Sequence, residues 1–333
     1  VKSTLGEPYT PTVNSSYQFD LELAPVVPAL PDVDCSDHMA ARASLLEMIG
    51  QMPAPDTSGV HFEDRLIPGG PGDPEVPIRI YRPEQRTSPA AIYSVHGGGF
   101  ISGSIAAEHA VNLSLARELG VVVVAVDYRL APETPFPGPL EDVYAGLVWI
   151  AENANEIGVD PQRITIRGAS AGGGLCAGLA LLARDRGGPH IAFQFLSVPE
   201  LDDRLTTPSS KAFTDTPMWN RANMAASWEH YLGVGRAGAE DVSIYAAPAR
   251  ATDLTGLPPA YVSVAHFDPL RDEGIAYALR MLAAGITVEL HLFPGTFHGS
   301  GFVHHAAVSQ RELVELTAVL RNVVGAGGQP IEN

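Results

Sequence analysis

A chain of 333 residues with 45% apolar and 18% charged residues can bury a large core and is too evenly mixed for global disorder. Its formal charge of −17, with no run of Lys and Arg, repels phosphate backbones and anionic lipid, so neither nucleic acid nor a membrane surface is expected as a partner. Length alone leaves open one large α/β domain with an insertion or two smaller domains. The start, VKSTLGEPYTPTVNSSYQFDLELAPVV, lacks the basic end and continuous apolar core of a secretory signal, and no apolar stretch reaches membrane-spanning length. The cytoplasm is the expected location. Cys35 and Cys176 are too few for a disulfide framework, and Cys176 sits in an apolar helical run where a buried thiol is expected.

Residues 1–60 are rich in Pro and polar side chains, and one amphipathic stretch at 37–51 predicts a helix ended by Pro53. From His61 the texture changes to short β-rich runs: HFEDRLIP, VPIRIYRP, AAIYSVHG, VVVVAVDY, RITIRGAS, IAFQFLSV, AYVSVAHF and TVELHLFP. Helix-length patterns at 106–119, 140–155, 171–186, 269–284 and 306–324 alternate with the later runs, which predicts a mostly parallel, doubly wound sheet of eight strands. VVVVAV has the continuous apolar character of a strand covered on both faces. Residues 200–250, with Trp219, Trp228 and Tyr231, hold too much chain for one connection and are read as an insertion. The tail at 326–333 is expected to be frayed and flexible.

Chemistry concentrates at two glycine-rich turns. Gly168-Ala169-Ser170-Ala171-Gly172 falls between a β-rich run and a helical one, the context a nucleophile elbow requires. Glycines flank the serine because the tight turn has no room for side chains, and the helix that follows aims its first N–H groups at an oxyanion. His96-Gly97-Gly98-Gly99-Phe100 follows the strand AAIYSV, where N–H groups of Gly98 and Gly99 could join that of Ala171 in an oxyanion hole.

In such folds the general base and its acid follow the serine, so His96 is read as a loop organiser. His298, in a turn after the last strand, is the expected base. His291 lies within that strand, while His304 and His305 open the last helix and need only solvation or capping. Asp268 ends the preceding strand, directly before a helix expected to begin at Pro269, and is the expected acid. Asp272 and Glu273 fall in that helix's first turn, where its dipole alone favours carboxylates. The eleven histidines form no HExxH, no CxxC pair is present, and neither a Walker sequence nor GxGxxG occurs, so no metal or nucleotide cofactor is expected.

Together HGGGF, DYRLAPE at 127–133, GASAGG, DPLRDEG and FHG resemble the bacterial hormone-sensitive-lipase-like esterases over most of residues 61–324. PELDDR, YAAPARATDLTGLPPAY and FPGTFHGS look like the branch that contains a bacterial heroin esterase. The resemblance implies an α/β-hydrolase fold and a serine carboxylesterase with Ser170, Asp268 and His298 as its triad. It also implies a catalytic domain at 61–325 whose insertion, at about 200–250, joins residues 1–60 in a helical cap. No cofactor is implied, homodimers are common in the family, and the expected substrates are short to medium acyl esters of small molecules, among them acetyl esters of bulky alcohols. Ala169 departs from the family, which commonly has Asp there; a carboxylate at that position would support nearby loops. Two other readings stay open: a receptor on the same scaffold, of the kind that lacks the catalytic histidine, and an amidase or lactonase using the same acyl chemistry.

Overall fold

A computed structural model describes residues 17–325. The expected frayed tail, and the first part of the expected N-terminal cap segment, lie outside the described residues.

All eight strand candidates are present: β1 (Val60–Ile67), β2 (Val76–Pro83), β3 (Ala91–Val95), β4 (Val122–Val126), β5 (Ile164–Ala169), β6 (Phe193–Ser197), β7 (Ala260–Phe267) and β8 (Val288–Phe297). They form one sheet in the order β1-β2-β4-β3-β5-β6-β7-β8. β2 runs antiparallel to both β1 and β4, and every other pairing is parallel. Parallel pairing demands crossovers, and helices α1 (His38–Gln51), α2 (His109–Leu119), α3 (Gly138–Glu152), α4 (Ala154–Ile157), α5 (Ala171–Arg186), α6 (Pro208–Ala212), α7 (Arg221–Leu232), α8 (Arg271–Ala283) and α9 (Ala307–Val324) include those that supply them. The pattern at 140–155 divides into α3 and α4.

The valine run shows why both faces must be covered. Val122, Val124 and Val126 enter one core with side chains of α3, α5 and α8, whereas Val121, Val123 and Ala125 enter a second core against α2 and α9. Strand alternation distributes one continuous apolar run between two layers.

Two expectations need correction. The helix after Asp268 begins at Arg271, two residues beyond Pro269, because the Asp268 carboxylate accepts the Leu270 N–H at 2.9 Å and the Asp268 carbonyl accepts that of Arg271 at 3.0 Å. That tight turn occupies what would have been the first helical positions. α1 is present and capped by Asp37, which accepts the N–H groups of Met39 and Ala40, but it is not the amphipathic helix expected. Only Ala41 is buried, while Leu46 is 66% exposed.

The chain before α1 is tied instead by polar contacts to α7, inside the 200–250 interval. Asn223 accepts the Cys35 N–H at 3.0 Å and donates to the Val33 carbonyl at 2.8 Å. From α1, Arg42 donates to the carbonyls of Ile101 and Ala131 and pairs with Glu133 in the DYRLAPE segment. Among the described residues no helix is long and apolar enough to cross a membrane.

Candidate active site

The parallel strands place Ser170 at the carboxyl end of β5, directly before α5. Its φ of +57° is in the half of backbone space that side chains disfavour, a strain of about 1–3 kcal/mol that only close surrounding packing sustains. The glycines show that packing. A Cβ on Gly168 would lie 2.2 Å from the Gly172 carbonyl oxygen, and one on Gly172 would lie 2.2 Å from the Val95 carbonyl oxygen. No larger residue fits at either position. As the first residue of α5, Ala171 has an N–H with no acceptor inside its own helix.

Three remote segments meet at the serine. His298, just beyond β8, brings Nε2 to 3.0 Å from Ser170 Oγ, and its Nδ1 lies 2.8 Å from Asp268 Oδ2. A carboxylate at Nδ1 holds the proton on that nitrogen and leaves Nε2 free to accept the serine hydroxyl proton. Asp268 has no exposed surface and Ser170 retains 8%. The Trp219 ring lies 5.5 Å from the imidazole.

The glycine loop after β3 runs against the elbow. A Cβ on Gly97 would stand 2.8 Å from the Ala169 carbonyl oxygen, and one on Gly99 would meet Trp219 at 2.7 Å. Gly98 and Gly99 have φ of +122° and +58°, which glycine adopts at no steric cost. His96 is buried and stacked on Tyr128 at 4.1 Å, and its Nδ1 reaches the Gly97 carbonyl at 2.9 Å. Burial pushes its pKa down, against that hydrogen bond and the pull of Asp127 and Glu108, so the ring organises the loop as a neutral group. His291 lies in β8 between Glu289 and Glu315, and His304 and His305 are exposed in the turn before α9.

Sequence reasoning missed a set of buried and half-buried acids behind the site. Asp272 and Glu273 are more than dipole partners: Asp272 accepts the Ser209 N–H at 2.7 Å, and Glu273 accepts those of Leu201 and Asp202 at 2.6 and 3.2 Å. They clamp the start of the 200–250 interval to α8. Burial pushes the Glu273 carboxyl well above the usual range, and pushes Glu200 up to about 8 against a hydrogen bond from Ser227, with Asp268 adding to the rise. On α9 the carboxyl of half-buried Glu312 is pushed up to about 7 by its burial, while His298 pulls the other way. Glu200 was visible only as one letter of PELDDR, with no local pattern to mark it. A groove of about 810 Å³ lined by Arg163, His190, Phe193 and Pro259 lies at the amino ends of β5 to β7, the opposite end of the strands from Ser170.

A family model described as alpha/beta hydrolase fold matches residues 92–322. The solved structure titled "Bacterial Heroin Esterase" superposes with a TM-score of 0.91 at 51% identity, covering 93% of this chain and 99% of that one. Carboxylesterase NlhH of Mycobacterium tuberculosis is 39% identical over 271 residues, 80% of this chain and 83% of that protein. Esterase LipI of the same organism is 39% identical over 274 residues, 78% of this chain and 84% of its own length.

Proposed function

The chain belongs to the hormone-sensitive-lipase-like branch of the α/β-hydrolase family and is a serine carboxylesterase acting on small-molecule esters; from that premise we propose that Ser170, His298 and Asp268 form its catalytic triad. The observation that carries the assignment is the unbroken relay from Ser170 Oγ through both nitrogens of His298 to Asp268, at 3.0 and 2.8 Å.

A serine hydroxyl is a weak nucleophile at neutral pH. His298 Nε2 takes its proton as Oγ attacks the ester carbonyl, and Asp268 stabilises the imidazolium that forms. The N–H groups of Ala171, Gly98 and Gly99 receive the oxyanion, a contribution worth about 3–4 kcal/mol per donor in comparable sites. His298 then returns the proton to the leaving alcohol, and water repeats the attack on the acyl-enzyme. No step calls for a metal or an organic cofactor.

In the same reading, residues 17–60 and about 200–250 form a helical cap over the site in the cytoplasmic enzyme, supported by the Asn223 and Arg42 contacts and by Trp219 beside His298. A roofed pocket suits short to medium acyl groups, and similarity to a heroin esterase favours acetyl esters of bulky alcohols. Leu292, Leu313 and Val314, apolar and exposed on β8 and α9, support association of two copies.

The test is covalent labelling with a fluorophosphonate. One adduct on Ser170, together with loss of p-nitrophenyl acetate hydrolysis in Ser170→Ala at an unchanged melting temperature, is the expected result. Labelling at another serine, or a substantially active S170A, would remove Ser170 from this role.

A further inference from the structure

Glu200 lies three residues beyond β6 and exposes no surface. Its backbone N–H donates to the Ser170 carbonyl at 3.1 Å, so it is anchored directly behind the elbow. Its Oε1 is 3.0 Å from the Ser227 hydroxyl on α7, and its Oε2 has no hydrogen-bond partner. The same Ser227 Oγ is 3.0 Å from the carbonyl oxygen of Gly99 in the glycine loop. The titratable groups that act on Glu200 are Asp268 after β7, Glu273 on α8, Tyr231 on α7 and Cys35 ahead of α1. None of them is a cation.

A count of protons decides how this cluster is wired. Ser227 has one hydroxyl proton and two oxygen neighbours at hydrogen-bond distance, and the Gly99 carbonyl can only accept. If Glu200 were ionised it too could only accept, and one of the two short contacts would lack a proton. We infer that Glu200 is a positioning residue: a neutral carboxylic acid whose O–H donates to Ser227, committing the Ser227 proton to Gly99 and so pinning the oxyanion loop to α7. The unpartnered Oε2 is then a neutral carbonyl oxygen, far less costly to bury than half of a carboxylate. Burial that pushes this carboxyl up to about 8 agrees with the wiring. When the proton leaves to solvent, the Ser227 hydroxyl turns to the new carboxylate, and Gly99 loses its partner. The loop that receives the oxyanion is released, and activity falls on the alkaline side.

The inference rests on the esterase reading above, and its test has one arm that does not depend on turnover. Rates with p-nitrophenyl butyrate are followed from about pH 6 to 10, corrected for spontaneous hydrolysis and with folding checked by circular dichroism. Wild-type kcat should fall above pH about 8, approaching about tenfold per pH unit, while KM changes little. E200Q keeps an N–H donor for Ser227 but cannot ionise, so its profile should stay flat through that range. S227A should show a lower kcat at neutral pH, by about 10-fold to 100-fold, and no alkaline decline of this origin. Infrared difference spectra of wild type minus E200Q at pH 7 should contain the carbonyl stretch of a protonated acid, lost above pH about 9. An E200Q or S227A profile that declines with the wild-type midpoint overturns the inference. So does the absence of the Glu200 acid band at pH 7, and that result stands even if the enzyme hydrolyses no ester offered.

Discussion

Two helical glycines make opposite forecasts for one substitution, Gly→Ala. Alanine is favoured over glycine in helices, by about 0.8–1.0 kcal/mol in the interior and less near an end, and Gly50 in the last turn of α1 has nothing within 4 Å of where its Cβ would stand. Gly50→Ala should therefore stabilise the protein by about 0.5–1 kcal/mol and leave turnover alone. Gly172 of α5 would place its Cβ 2.2 Å from the Val95 carbonyl oxygen and 2.5 Å from that of His96. Ordinary carbon–oxygen contacts are about 3.3–3.6 Å, so the backbone must part by about 1 Å. Neither contact can yield by a side-chain rotation, because both partners are main chain at the end of β3 where the glycine loop begins. Overpacking of this kind costs about 1–3 kcal/mol, which outweighs the helical gain. Separation of the loop from Ser170 on the order of 1 Å should also lower kcat/KM by about 100-fold. Urea unfolding and p-nitrophenyl ester kinetics on both variants read these effects. A Gly172→Ala protein as stable as Gly50→Ala, with wild-type kcat/KM, would refute the close docking of α5 beneath the glycine loop at 96–100.

Arg250 forms a two-pronged pair with Asp203, whose side chain has no exposure, so Arg250→Ala should cost about 3–5 kcal/mol in chemical denaturation by stranding that carboxylate. Arg236→Ala, which breaks the exposed pair with Asp241, should leave the denaturation midpoint almost unchanged, because solvent screens that pair. Glu200 has its folded-state pKa raised from 4.5 to about 8, so the native state keeps a proton that the unfolded chain gives up above 4.5. Its contribution is therefore lost as pH rises through that window, by up to about 5 kcal/mol. Unfolding free energies from pH 5 to 8.5 should fall more steeply for wild type than for E200Q; parallel curves would contradict the buried acid. Across p-nitrophenyl esters, kcat/KM should rise by up to about 0.8 kcal/mol of binding per methylene and then fall once the pocket is full. Efficient hydrolysis of emulsified triolein that jumps at the interface would defeat the proposed roof over the site.

The strand–turn–helix around Ser170 was legible because its requirements are local: a strand, a turn too tight for side chains at 168 and 172, and a helix. The glycine loop at 96–100 was legible for the same reason. β4 could be read from its uninterrupted valines, since both its faces are covered, whereas the edge strands β1 and β8 keep exposed polar residues and could be read only from their β-rich composition. His298 and Asp268 followed from chain order, but their distances to each other and to Ser170 did not, because three segments far apart in sequence meet only when β5, β7 and β8 lie in register. Local rules failed where burial is decided by distant chain. α1 carries apolar residues at plausible spacing, yet its neighbours leave Leu46 in water. Glu273 sits where a helix dipole alone would explain it, yet residues 201–202 fold over and enclose it. Glu200 had no signal at all in its own neighbourhood. Its burial depends on α7 and on the turn ahead of α1 closing around it, and desolvation by such remote segments is a property of the folded chain that no local pattern encodes.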